Sequence, residues 1–308
     1  MDTEHSPQIF NNKLLGKLLD LLWRQWRTLG VASFGRETDH LLDLEALIMA
    51  TAVAGNHDRR LLAGAVQWLH CSREWVNLAR LKRMASDFIG PDVFLKQSLV
   101  NEQAWKYLSD GLRRAETSGR AAQNADTLRT GSMTTPPLLK KASLRQLYLR
   151  SIFGINARAE ILLFLFLEKE GNSNQIAREV HYDQKSVYRI LERWAEAGFI
   201  NRESGTNKNL YSLEPGNDFF RNLIIPHSFW RWGPFYRLFA RLLAAASTAP
   251  WSGDAYLLSS LFRDIHPDAL MISRSAGIAL PDSGLHPGED LFVPMARALE
   301  NLLDYFLG

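Results

Sequence analysis

Cysteine is nearly absent: Cys71 stands alone in 308 residues. That excludes an internal disulfide and any metal site built from several thiolates, and it suits a reducing compartment. Long apolar runs are missing too. The longest strongly apolar stretch, residues 161–167, falls far short of the roughly 20 residues that cross a bilayer. The opening "MDTEHSPQIFNNK" is polar and acidic where an export signal needs a basic start and an apolar run. A cytoplasmic protein with no membrane role is the expectation. The chain also lacks the GxxxxGK[ST] phosphate loop, the HExxH zinc pair and the GxSxG elbow, each of which would supply a definite chemical part. No cofactor, no metal and no enzymatic activity are therefore expected.

Charge of one sign is in short supply, with 36 Lys/Arg against 33 Asp/Glu. The surplus is local. Residues 140–213 hold 12 Lys/Arg against 8 Asp/Glu, an excess larger than the +3 of the whole chain. Net charge speaks to association rather than to fold, so this stretch points weakly toward a polyanion.

What is present is apolar residue at helical spacing. Hydrophobic residues make up 46% of the chain, enough for a substantial core in a protein of two or three domains. Segments such as "KLLGKLLDLLWRQWRTLG" and "DRRLLAGAVQWLHCSREWVNLARLKRMA" repeat apolar positions at three and four residues. Gly30 and Gly55 sit where helices stop, and Asp43 and Asn56 where new ones begin. Trp23, Trp26, Trp68 and Trp75 read as core. Residues 117–137 lack apolar periodicity and read as a linker. The divisions are an N-terminal helical module at 1–116, the linker at 117–137, a central domain at 138–215 and a C-terminal helical region at 216–308. In the last, the cluster Phe229, Trp230, Trp232, Phe235 and Tyr236 reads as core or subunit interface, and a final amphipathic helix is expected near 293–306.

The central domain carries the functional argument. Residues 157–170 would bury Ile161, Leu162, Leu165 and Phe166 and stop at Gly171; Ser173 would cap a short second helix. Asp183 would cap a third helix, 184–197, whose apolar face is Val187, Ile190, Leu191 and Trp194. Gln184, Lys185, Ser186, Arg189 and Arg193 fall largely on the opposite face. Directly afterwards, "AGFINRESGTNKNLYSLEP" alternates apolar and polar residues on both sides of a Gly/Asn/Lys turn, the pattern of a β-hairpin.

On "SNQIAREV", "DQKSVYRILERWAEAGFI" and "NRESGTNKNLYSL", the chain resembles the winged helix-turn-helix modules of bacterial transcription regulators such as the MarR and ArsR families. The likeness covers roughly residues 145–215. It implies a mainly α protein with a central winged helix-turn-helix domain, three helices plus a β-hairpin wing, flanked by N- and C-terminal helical regions. It further implies a sequence-specific DNA-binding regulator, a repressor that occludes its operator, binding double-stranded DNA as a homodimer. Gln184, Lys185, Ser186 and Arg189 would read base edges, and Tyr188 would reach a phosphate or stack on sugar. Arg193, Arg202 and Lys208 would serve the backbone, and Asn207 belongs to the same DNA-binding set. ArsR-type sensors use clustered cysteines, which this chain lacks, so metal sensing is not implied; a small-molecule or protein effector stays unidentified. The alternative is a winged-helix adaptor or antitoxin-like component that docks a protein.

Overall fold

The computed structural model describes residues 6–89, 105–106, 108–110, 137–205, 208–214, 217 and 231–308. Apart from Pro137, the expected linker lies outside them, as do Phe229 and Trp230. In chain order the elements are α1 (Pro7–Thr28), α2 (Leu44–Ala54), α3 (Arg59–Ser72), α4 (Leu78–Ile89), α5 (Arg145–Phe153), α6 (Ala157–Glu168), β1 (Glu170–Gly171), α7 (Ser173–Glu179), α8 (Gln184–Glu196), β2 (Ile200–Ser204), β3 (Asn209–Leu213), α9 (Trp232–Ala246), α10 (Ala255–Ser275) and α11 (Phe292–Leu307). The described chain is thus mainly helical, as its periodicity indicates.

Local chemistry accounts for most of the boundaries. Ser6 caps α1 by accepting from the Ile9 amide, and Pro7 occupies a first-turn position where a missing N–H costs nothing. Asp43 caps α2 as expected. Helix α3 is capped by Asp58, which accepts from the Arg60 and Leu61 amides. Asn56, the expected cap, lies instead in the 3-10 turn Gly55–His57. Asn172, one residue before the expected Ser173, caps α7 by accepting from the amides of Asn174 and Gln175.

The two terminal regions, expected as separate modules, share one hydrophobic core. Phe10, Trp26 and Trp68 from the first part join Trp232, Phe235, Phe262 and Phe306 from the last. The Phe10 ring meets Phe262 and Phe292 edge-on at centroid distances of 5.7 and 5.9 Å. Lys17 on α1 pairs with Asp304 on α11 at 2.6 Å. The physical reason is that α1 and α2 carry more apolar surface than the N-terminal helices can cover among themselves. Every residue of α2 is buried, and α9 supplies the missing wall. The central segment is inserted between the two halves of this body.

The insertion has its own core, made by Ile161, Phe164, Leu165, Ile176, Val187, Leu191, Ile200 and Tyr211. Helix α6 is apolar on most of its circumference because it is covered on two sides. One face lies in this core, while Ala159, Leu162 and Leu163 pack with Leu149 of α5 and with Leu41 of the helical body. The strands form one antiparallel sheet of order β1-β3-β2, with Gly171 and Arg202 both opposite Tyr211. A Cβ on Gly171 would come within 2.8 Å of the Phe164 ring, so the strand approaches α6 as closely as it does only because a glycine is there.

Candidate functional site

Asp183 opens α8 by accepting from the Ser186 amide at 2.8 Å, and that bond is the main reason its carboxyl sits below the ordinary value. From this start the apolar stripe falls inward, with Val187 and Leu191 buried and Ile190 and Trp194 partly so. Gln184, Lys185, Tyr188, Arg189 and Arg193 are exposed along the outside. Ser186 is half-buried at the cap. Gln184 Nε2 donates to the Ser173 hydroxyl at 3.1 Å, which ties the start of α8 to the start of α7.

The β2–β3 hairpin follows beside the helix, and Lys208 is exposed at its turn. Gly205 belongs to that turn: a Cβ there would stand 2.6 Å from the Lys208 carbonyl oxygen. Asn207 lies outside the described residues. Arg202, expected to face outward, is engaged: its Nη1 donates to Glu192 at 2.7 Å. The Tyr211 hydroxyl donates to the other oxygen of the same carboxylate at 2.6 Å. These two donors hold the Glu192 carboxyl below its ordinary value, the Tyr211 bond first. Burial and the same bond push the Tyr211 phenol up to about 12. Between α7, α8 and the hairpin opens a cleft of about 430 Å³, lined among others by Ser173, Gln184, Tyr188, Lys208 and Tyr211.

Sequence reasoning missed what stands behind this surface. Helix α4 of the helical body, together with Asn77 just before it, grips each residue of the turn that leads into α8. Arg80 Nε donates to the Val180 carbonyl at 3.2 Å, Asp87 meets His181 Nδ1 at 2.8 Å, Asn77 donates to the Tyr182 hydroxyl, and Arg83 lies beside Asp183 at 3.8 Å. His181 adopts φ 57°, in the left-handed region, which re-aims the chain into α8. Burial, with Arg80 nearby, lowers the His181 pKa, so the ring is held more neutral than an exposed one.

Beneath the turn, a buried ionic cluster joins the body to the insertion. Arg150 on α5 reaches Glu45 on α2 and Glu160 on α6, both at 2.6 Å. Arg80 reaches Asp43 at 2.6 Å as well as Glu45. Gln146 completes it by donating to Glu160 at 3.1 Å and accepting from the Leu44 amide at 3.0 Å. Burial alone would raise the carboxyls, yet the arginines outweigh it, holding Asp43 at about 2 and Glu45 below its ordinary value. The i, i+4 spacing of Gln146 and Arg150 was visible in the sequence, but nothing local distinguished them from solvated side chains.

Chemically, the outer face offers guanidinium, ammonium, amide and phenol donors on one rigid ridge. Among the described residues, no described acid pairs with Lys185, Arg189, Arg193 or Lys208, and no group of His, Cys, Asp and Glu is placed to hold a metal ion. No helix among them is long and apolar enough to cross a membrane. Compared with protein-family models, with curated proteins and with solved structures, the chain matches none.

Proposed function

We propose that residues 138–215 are a winged helix-turn-helix domain that binds double-stranded DNA, and that the protein is a transcription regulator repressing by operator occlusion. The order helix, short strand, helix, helix and hairpin supports this reading, with β1 closing the hairpin into a three-stranded sheet. The observation that carries it is the division of α8. Its buried stripe anchors the helix while Lys185, Arg189 and Arg193 project from the other side; of the acids there, Glu192 is occupied by Tyr211 and Arg202, and Glu196 stands at the far end of the helix from Gln184. Cations that pair with no described acid, beside a carboxylate already engaged, favour a phosphate-lined partner, because association then releases its condensed counterions.

In this reading the first half of α8 enters the major groove. The Gln184 amide suits adenine and the Arg189 guanidinium guanine, since each matches two hydrogen-bonding positions on the base edge. Lys208 at the hairpin turn and Arg193 serve the backbone. Arg202 contributes by holding Glu192 rather than by facing phosphate. A homodimer on paired half-sites about one helical turn apart is the arrangement proposed for the operator. Selection of bound duplexes from a random pool, followed by fluorescence-anisotropy titration at several salt concentrations, tests the proposal. Enrichment of one sequence with salt-sensitive affinity is expected; binding that shows neither property overturns it.

A further inference from the structure

The proposed DNA surface on α8 and the hairpin belongs to the insertion, yet a cation of the helical body stands at its edge. Arg83 projects from α4 across the turn before α8. Its guanidinium lies 5.7 Å from the centre of the Tyr182 ring, its Nη1 approaches the His181 carbonyl oxygen at 3.5 Å, and its Nη2 is 3.8 Å from the Asp183 carboxylate. Both Arg83 and Asp183 are open to solvent, with side chains 45% and 49% exposed. An exposed ion pair at that distance adds little to folding stability, since solvent screens it and the long side chain loses freedom. A different role accounts better for a guanidinium stacked and aimed at this place.

Asp183 is needed as the cap of α8, but its carboxylate stands directly before Gln184, where an entering helix meets the phosphate backbone. Left alone it would repel the duplex. Arg83 offsets that charge, and the long contacts to His181 and Asp183 leave its planar fork of donors largely uncommitted, in a geometry that matches phosphate oxygens. Resting on the reading of α8 as the groove-entering helix, we infer that Arg83 is a phosphate contact supplied by the helical body, so that the DNA-binding surface spans both parts of the molecule. The turn 180–183, held by Asn77, Arg80, Arg83 and Asp87, fixes this cation relative to α8.

The test is a salt titration of the full-length protein on a short mixed-sequence duplex, read by fluorescence anisotropy. Wild type is compared with Arg83→Ala, Arg83→Lys and Arg60→Ala, the last removing an exposed cation from α3. The slope of log affinity against log salt should fall in magnitude by about one in Arg83→Ala, as expected for one lost phosphate contact. It should keep its wild-type value in Arg83→Lys, which preserves the charge, and in Arg60→Ala. A merely bracing arginine would alter the melting temperature of Arg83→Ala and leave the slope in place, which overturns the inference. An equal loss of slope in Arg60→Ala overturns it as well, by making the effect one of total charge. Salt-dependent wild-type binding with an unaltered Arg83→Ala slope sinks this inference alone, whereas a wild type with no affinity for the duplex sinks the DNA reading with it.

Discussion

The Tyr211 hydroxyl donates to the Glu192 carboxylate at 2.6 Å, fastening the middle strand of the three-stranded sheet to the middle of α8. The ring is buried in the insertion's core while its oxygen reaches the rim, so one side chain sets both packing and the helix–hairpin angle. Arg202 closes the same carboxylate from β2.

Replacement of Tyr211 by Phe keeps the packing and removes one hydrogen bond to a charged acceptor. We expect a loss of about 1.5–3 kcal/mol in urea unfolding. Glu192→Gln should separate stability from binding. The hairpin loosens as the ion pair goes, while nonspecific DNA affinity at low salt rises because a negative charge leaves the ridge. A variant that loses both stability and affinity would argue against the proposed orientation of α8.

Arg189 and Lys208 should fail differently. On the selected operator, Arg189→Ala is expected to cost about 1–3 kcal/mol and to relax the preference at one base position. Lys208→Ala should weaken all sequences alike and reduce the salt slope. Anisotropy titrations against the operator and its single-base variants distinguish the two patterns, and identical profiles would contradict the division of roles.

Arg150 holds two buried carboxylates at once, Glu45 and Glu160, with its own side chain fully enclosed. Arg150→Met leaves both without their main partner. Breaking a buried pair from one side typically costs about 3–5 kcal/mol, far more than a surface pair. Chemical denaturation should report a loss in that range, and a near-neutral result would mean that the cluster is open to water.

Acid should destabilise the fold at this ionic cluster. Asp43 is held at about 2 against an ordinary 3.8, and Glu45 is lowered too, so both bind protons less readily folded than unfolded. Their contribution is full above the ordinary carboxylate range and is lost as pH falls from about 4 toward 2. Unfolding free energy should drop steeply in that window. In Arg80→Met the drop should shift to higher pH, because Asp43 then loses its largest opposing charge; an unshifted curve would contradict the assignment.

How much of this was legible depended on the range of the forces involved. The helices and their limits follow from apolar spacing and caps, which act over a few residues, so α1, α2, α8 and the hairpin stand close to where the sequence places them. The caps moved only where two polar residues competed, as with Asn172 beside Ser173 and Asp58 near Asn56. The outward face of α8 was determined in the same way, because Val187, Ile190, Leu191 and Trp194 leave it no other orientation. Only the tertiary structure could bring α1 against α11, seat Arg150 between Glu45 and Glu160, or bend Arg202 onto Glu192. Each joins residues distant in the chain or on separate elements, and a charged side chain looks the same in sequence whether it meets water or a buried partner. Folding decided that through which apolar faces it covered.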